Sequence, residues 1–149
     1  MGHITLIKST LTAIPTYAMQ TCRLPRTVCN ELDRKIHRFL WAGSNAGRKL
    51  HLVAWAIITK SMSGGGFGIR PMRGLNSTSM AKVGWRMIHD PESPWVRILK
   101  HKYCKGSQDS KWFRPGRNPS NAWKGICESK WILDEGTMHS IKDGKQTLF

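Results

Sequence analysis

Residues 63–70 read SGGGFGIR, three consecutive glycines in a stretch that ends in an arginine. A loop of that composition can cradle a phosphate on its backbone amides. The spacing decides against it. A P-loop requires GxxxxGK followed by Ser or Thr, and no lysine follows these glycines in that frame. A dinucleotide fingerprint, GxGxxG, begins at Gly66 and Gly68, but position 71 is Pro71. The stretch therefore reads as a tight turn leading into a short extended FGIR segment, with Phe67 and Ile69 on one side.

Other chemistry-bearing residues are also badly spaced for chemistry. Cys22, Cys29, Cys104 and Cys127 contain no CxxC, and His101 with Cys104 supplies only one i, i+3 pair. A zinc site wants two such pairs, so buried free thiols are expected and no metal ligand is assigned. Asp33, Asp90, Asp109, Asp134 and Asp143 fall in turns or on helix exteriors and read as solvated, unlike the strand-borne acids of a two-metal site. There is no GxSxG turn, and His37, His51, His89, His101 and His139 read as surface or cap residues. No catalytic residue and no cofactor is assigned, and the chain by itself is not expected to be an enzyme.

Charge is the stronger signal. Lys and Arg number 24 against 9 Asp and Glu, a formal balance of +15 in 149 residues. Residues 26–105 hold 15 basic and 4 acidic side chains, and residues 106–149 hold 7 and 5. Such a surplus favours polyanions, because each neutralised phosphate releases condensed counterions. A basic face for an acidic protein partner is the competing reading. The 7 tryptophans often neighbour a cation, as in Trp85-Arg86, Lys111-Trp112, Trp123-Lys124 and Lys130-Trp131. Trp41, Trp85, Trp95 and Trp123 fall on apolar stripes and are expected in a core; Trp112 and Trp131 stay open as stacking surfaces for bases.

The elements that must carry these residues are helical. Ile7, Leu11, Ile14 and Ala18 suggest a helix over residues 4–22, kinked or restarted at Pro15. Residues 26–41 form the clearest helix, with Val28, Leu32, Ile36, Phe39 and Leu40 as its apolar stripe. HLVAWAIITK is too brief to assign to helix or strand. A helix over residues 77–89 would gather Met80, Val83, Gly84, Met87 and Ile88, with Gly84 marking a close neighbour. PWVRILKHKY is a further amphipathic helix with Trp95, Ile98, Leu99 and the stem of Lys102 inward. Residues 105–121 read as loop, and NAWKGICESKWILDEG as a last helix with Trp123, Ile126 and Cys127 inward. MHSIKDGKQTLF resembles the start of a hairpin turning at Asp143-Gly144, so the sequence reads as a piece of something longer.

Hydrophobic residues at 40% make global disorder unexpected, and no apolar run approaches the ~18 residues of a membrane span. The first residues lack a small-residue cleavage site, and Leu6 stands where a myristoylation signal needs Ser or Thr. An intracellular location, nuclear or cytoplasmic, is expected, with no membrane partner.

Five segments carry a family resemblance: IPTYAMQTCRLPRTVCNELDRKIHRFLWAG, KLHLVAWAIITKSMSGGGFGIRPMRGLN, MAKVGWRMIHDPESPWVRILKHKY, PSNAWKGI and IKDGK. In this order they resemble the region after the palm in reverse transcriptases of plant LINE-type (non-LTR) retrotransposons. SMSGGG departs from that family's proline-and-charge lead-in, and NSTSM is polar where the family is apolar. The resemblance implies a thumb and connector that precede a zinc-binding-like region and, in many members, a ribonuclease H domain. The polymerase aspartates of the family's (F/Y)ADD motif lie upstream of this region and have no counterpart in the chain.

The implied fold is mainly α: a helical thumb-like bundle plus further amphipathic helices, with a short incomplete β-hairpin at the C-terminus. Residues 1–60 would be the thumb-like segment, 61–121 the glycine-rich junction and connector helices, and 122–149 the last helix and truncated hairpin. The implied function is a non-catalytic portion of an RNA-directed DNA polymerase that grips RNA, DNA or an RNA–DNA hybrid by its backbone. Its other partners would be the missing palm and downstream domains. The residues expected to touch phosphate are Arg34, Lys35, Arg38, Arg48, Lys49, Arg70, Lys82, Arg86, Arg97 and Lys100. An inactive remnant of a mobile element, or a basic protein-interaction module, is the alternative.

Overall fold

The structure is a computed structural model and describes residues 2–41, 53–104, 113 and 118–137. Its described residues are mainly helical and contain no strand. The hairpin expected over residues 138–149 lies outside them. The helices are α1 (Gly2–Leu6), α2 (Ala13–Met19), α3 (Arg26–Trp41), α4 (Trp55–Ile58), α5 (Met72–His89), α6 (Pro94–Tyr103), α7 (Asn121–Glu128) and α8 (Lys130–Gly136). No helix among the described residues is long and apolar enough to cross a membrane.

Between α1 and α2 the chain makes a π-helical turn over Ile7–Leu11, closed by Thr12 N–H donating to the Ile7 carbonyl at 3.0 Å. This corrects the first expected stripe. An ordinary α-helix rotates a spacing of four slowly off its face, whereas a widened turn takes up the excess. Ile7, Leu11, Pro15 and Met19 thus point inward together, and Ile14 is 68% exposed. The irregularity comes ahead of Pro15, which is itself buried inside α2.

α3 has the expected bounds, but its inward stripe is Cys29 and Ile36, both buried, with Leu32, Phe39 and Leu40 partly buried beside them, and Val28 is 41% exposed. These side chains join Ile7, Met19, Ile58, Ile69 and Met72 in a first core. The segment that sequence left unassigned supplies α4, whose Ile58 is buried in that core.

The glycine run is a 3₁₀ turn over Met62–Gly64, ended by Gly65 in the left-handed region at φ 78°. Its amides are all spent within the loop and its flank. Gly66 N–H donates to the Ser61 carbonyl, Phe67 N–H to Ile58 and Gly68 N–H to Lys60, at 2.9, 2.9 and 3.0 Å. A Cβ on Gly66 would lie 2.2 Å from the Lys60 carbonyl oxygen, so only glycine allows this return. Ile69 is buried as expected, whereas Phe67 is 38% exposed, so the two do not share one environment.

α5 begins five residues before its expected start. Its buried face runs Met72, Asn76, Ser79, Met80, Gly84 and Met87, and two of these are polar. Asn76 is satisfied by the connection before α3: its Nδ2 donates to the Leu24 carbonyl at 3.1 Å, and Leu24 N–H donates back to Oδ1 at 3.4 Å. Ile88, expected on the inner face, is 47% exposed.

A second core gathers Met87, Val96, Trp123 and Ile126, with Val83, Trp95, Leu99 and Tyr103 packed against it. Val96 therefore takes the inward place expected of Ile98, which is 67% exposed. The expected single last helix is two, α7 and α8, divided at Ser129, whose hydroxyl donates to the Gly125 carbonyl. α7 crosses α5 closely, since a Cβ on Gly125 would meet Met80 Sδ at 2.8 Å. Gly84 has the neighbours its helical position implied: Leu133, Ile126 and Phe113 lie within 3.2–3.5 Å of its missing Cβ.

Candidate nucleic-acid interface

Both cores face α5, which leaves the opposite faces of the flanking helices to charged residues. On α3, Arg34, Lys35 and Arg38 are all exposed on the side away from Cys29 and Ile36. Arg34 pairs with Glu31 one turn earlier at 3.7 Å, a solvent-exposed contact worth little. On α5, Lys82 and Arg86 are exposed, and the Arg86 guanidinium lies 5.7 Å from the centre of the Trp95 ring. Trp85 is also outward, 40% exposed and stacked on His89 at 3.7 Å between ring centres, which corrects its expected place in the core. Trp131 is 56% exposed. On α6, Arg97 is exposed and Lys100 half-buried. Arg48, Lys49 and Trp112 lie outside the described residues.

Two clefts collect the basic side chains further. One, of about 560 Å³, runs along the outer face of α6 between Arg97, Ile98, His101 and Lys102. The other, of about 530 Å³, lies between α2 and the segment that follows the glycines. Lys8, Thr12, Thr16 and Gln20 form its first wall, each one residue after the inward-facing Ile7, Leu11, Pro15 and Met19. Arg70 forms the second wall, Tyr17 stands 81% exposed at the edge, and Ile69 and Leu75 lie at the base. Of the expected residues, Arg70 and Arg97 line these two clefts, and Arg34, Lys35, Arg38, Lys82 and Arg86 lie on exposed faces of α3 and α5.

The sequence reading missed Lys8, Tyr17 and Gln20. Lys8 and Gln20 belong with Thr12 and Thr16 to a polar series at spacings of four, legible only once the turn before α2 is known to be widened, and Tyr17 stands one residue off that series. Arg34, Lys35 and Arg38 were legible because α3 is a regular helix with one clean stripe.

The thiols and the partly buried carboxylate have structural settings. All four cysteines are free. Burial raises the thiol pKa of Cys29, Cys104 and Cys127, the last to about 11, which favours the protonated thiol at neutral pH. Asp33, which its helix-exterior position suggested was solvated, is partly buried. It reaches from α3 to accept the Met72 N–H at 3.0 Å, satisfying one of the open donors at the start of α5. Burial pushes its carboxyl above the usual carboxylate range, against the opposing pull of that N–H. The Trp55 indole N–H also favours the charge from nearby but makes no well-aligned hydrogen bond. Among the described residues no group of three or more His, Cys, Asp or Glu side chains is placed to hold a metal ion.

No protein-family model and no solved structure matches the chain. An Arabidopsis thaliana protein provisionally named as ribonuclease H protein At1g65750 is 33% identical over 150 residues, covering 99% of this chain. The chain spans only 24% of that protein's length. The uncharacterized mitochondrial protein AtMg00310 of the same plant is 33% identical over 136 residues, covering 91% of this chain and 88% of its own length. With nearly the whole of both this chain and AtMg00310 aligned, the chain belongs to the family of these two plant proteins, a retroelement-derived family.

Proposed function

We propose that this chain is a non-catalytic, nucleic-acid-gripping portion of a retrotransposon reverse transcriptase, equivalent to the thumb and connector behind the polymerase centre. It holds template and primer by backbone contacts made from α3, α5 and α6. Carrying this reading is the solvent-facing cation row Arg34, Lys35 and Arg38 on the outside of a helix whose inner face is committed to the first core. Among the described residues no acidic side chain pairs with Lys35, Arg38, Lys82 or Arg97. The likeness of the five sequence segments to LINE-type polymerases supports the same reading, as does a ribonuclease H name on a longer relative. Contacts of this kind are blind to sequence and position a duplex without reading it.

Binding of the 149-residue chain to an RNA–DNA hybrid, followed by fluorescence anisotropy across a salt series, tests it. Micromolar affinity at about 50 mM salt should fall steeply by about 200 mM. Changing Arg34, Lys35 and Arg38 together to alanine should flatten the log–log salt slope by about 0.9 for each phosphate that is no longer neutralised. Affinity indifferent to salt, or unchanged in the triple variant, overturns the reading.

A further inference from the structure

The cleft beside the glycine turn differs from the helix faces in shape and in chemistry. Lys8 projects over Gly68, its ammonium 3.5 Å from where a Cβ on that residue would sit, so a cation lies against the wall that carries Arg70. Gly68 holds that wall thin, with φ at +65°. No acidic side chain among the described residues lines the cleft. The hydroxyls of Thr12 and Thr16 give their protons to the Lys8 and Thr12 carbonyls, at 2.9 and 2.7 Å, which leaves oxygen lone pairs to accept. Gln20 can donate or accept. Tyr17 sits beside these groups with 81% of its surface in water, an unusual exposure for a large ring that no neighbouring side chain covers.

We infer that this cleft is a single-strand site, in which Tyr17 stacks a nucleic-acid base while Lys8 and Arg70 hold the adjoining phosphates. The inference rests on the proposed nucleic-acid function and names a substrate form for one part of it. A duplex keeps its base faces inside its own stack, out of reach of a ring at a cleft edge, whereas an unpaired strand offers them. Stacking on an aromatic ring beside a cationic groove is sequence-tolerant, since every base has a π-face. The planar Arg70 fork suits a phosphate, and the threonine oxygens suit donors such as a 2′-hydroxyl or a base amino group. The volume of about 530 Å³ is that of a small-ligand site and not of a duplex groove.

The test uses the 149-residue chain with three probes: oligouridine, the same length of strand with abasic sites, and an RNA–DNA hybrid. Tyr17→Ala should weaken oligouridine binding about fivefold or more, and Tyr17→Phe should restore it. Neither change should alter binding of the abasic strand. Lys8→Ala and Arg70→Ala should each flatten the single-strand salt slope by about 0.7, while Lys124→Ala, an exposed lysine on α7 outside the cleft, removes the same charge with smaller effect. All these side chains are exposed, and circular dichroism melts should confirm an unchanged fold. Oligouridine binding that ignores Tyr17→Ala, or that responds to Lys124→Ala as much as to the cleft changes, overturns the site. If hybrid binding persists with its salt slope intact, only the cleft assignment has failed. A chain that binds none of the probes removes the proposed function and this inference together.

Discussion

Gly66 and Gly74 make a controlled pair, because both are glycines beside the first core and only one is required. At Gly66 a Cβ would enter the carbonyls of Lys60 and Ile57, at 2.2 and 2.8 Å, and backbone atoms there cannot swing aside. At Gly74, within the first turn of α5, nothing lies within 4 Å. Gly66→Ala should therefore cost about 3 kcal/mol or more, through displacement of the turn that carries Ile69. Gly74→Ala should gain about 0.5–1 kcal/mol from helix propensity and a less free unfolded chain. Denaturant melts of the two variants measure both signs, and similar values for the pair would refute the account. At this scale the sequence was a good guide to what the glycines are not, since motif frames are exact. It could not tell which glycine is obligatory, because that depends on the carbonyls of residues 57 and 60 folding back over the loop.

Among elements, the join between α3 and α5 is made by a charge. Asp33 belongs to no apolar stripe, yet it closes the N-terminus of α5 by taking the Met72 N–H. Its raised carboxyl pKa sets the sign of a pH effect. Just above the ordinary carboxylate range, the folded chain retains a proton that the unfolded chain has already lost. Stability therefore falls as pH rises through that window and stays lower above it. Asp33→Asn keeps an acceptor without the charge, so it should abolish this slope and be no less stable than the parent at pH 7. Asp33→Ala removes the acceptor and should cost about 0.5–2 kcal/mol. Thermal melts across the acid range decide; an asparagine variant as unstable as the alanine one would mean that attraction to the helix N-terminus outweighs burial. Helix α3 was legible to its last residue because one period governs it. The start of α5 was hidden for the opposite reason: Asn76 and Ser79 lie on its buried face, and only the Leu24 backbone explains a polar residue there. Ile14, Val28, Ile88 and Ile98 were misplaced by the same logic. Each is an apolar residue at the margin of a stripe, and periodicity alone does not say which margin meets a neighbour.

For the whole molecule, the decisive feature is that one helix serves two cores. Met72 near the start of α5 lies in the first, Met87 near its end lies in the second, and Met80 between them packs against Gly125 of α7. Arg23, in the connection before α3, also pairs with Glu128 of α7, and Asn121 donates to the Arg23 carbonyl at 2.9 Å. The halves are thus fastened through α5 and again across it, so they should open as a unit. Met72→Ala, a deletion confined to the first core, should cost about 2–5 kcal/mol. Hydrogen exchange should then show α7 amides losing as much protection as α3 amides, although no atom near α7 has changed. Protection in α7 that stays at the parent level would mean two independent folding units. The coupling also bears on grip: cations on α3, α5 and α6 can hold one polyanion in a fixed geometry only if the helices beneath them keep their relative positions. A chain with formal charge +15 repels itself, so added salt should raise the melting temperature while it weakens the nucleic-acid binding proposed for the chain. Those opposite responses separate release of the nucleic acid from unfolding of the chain in a single titration.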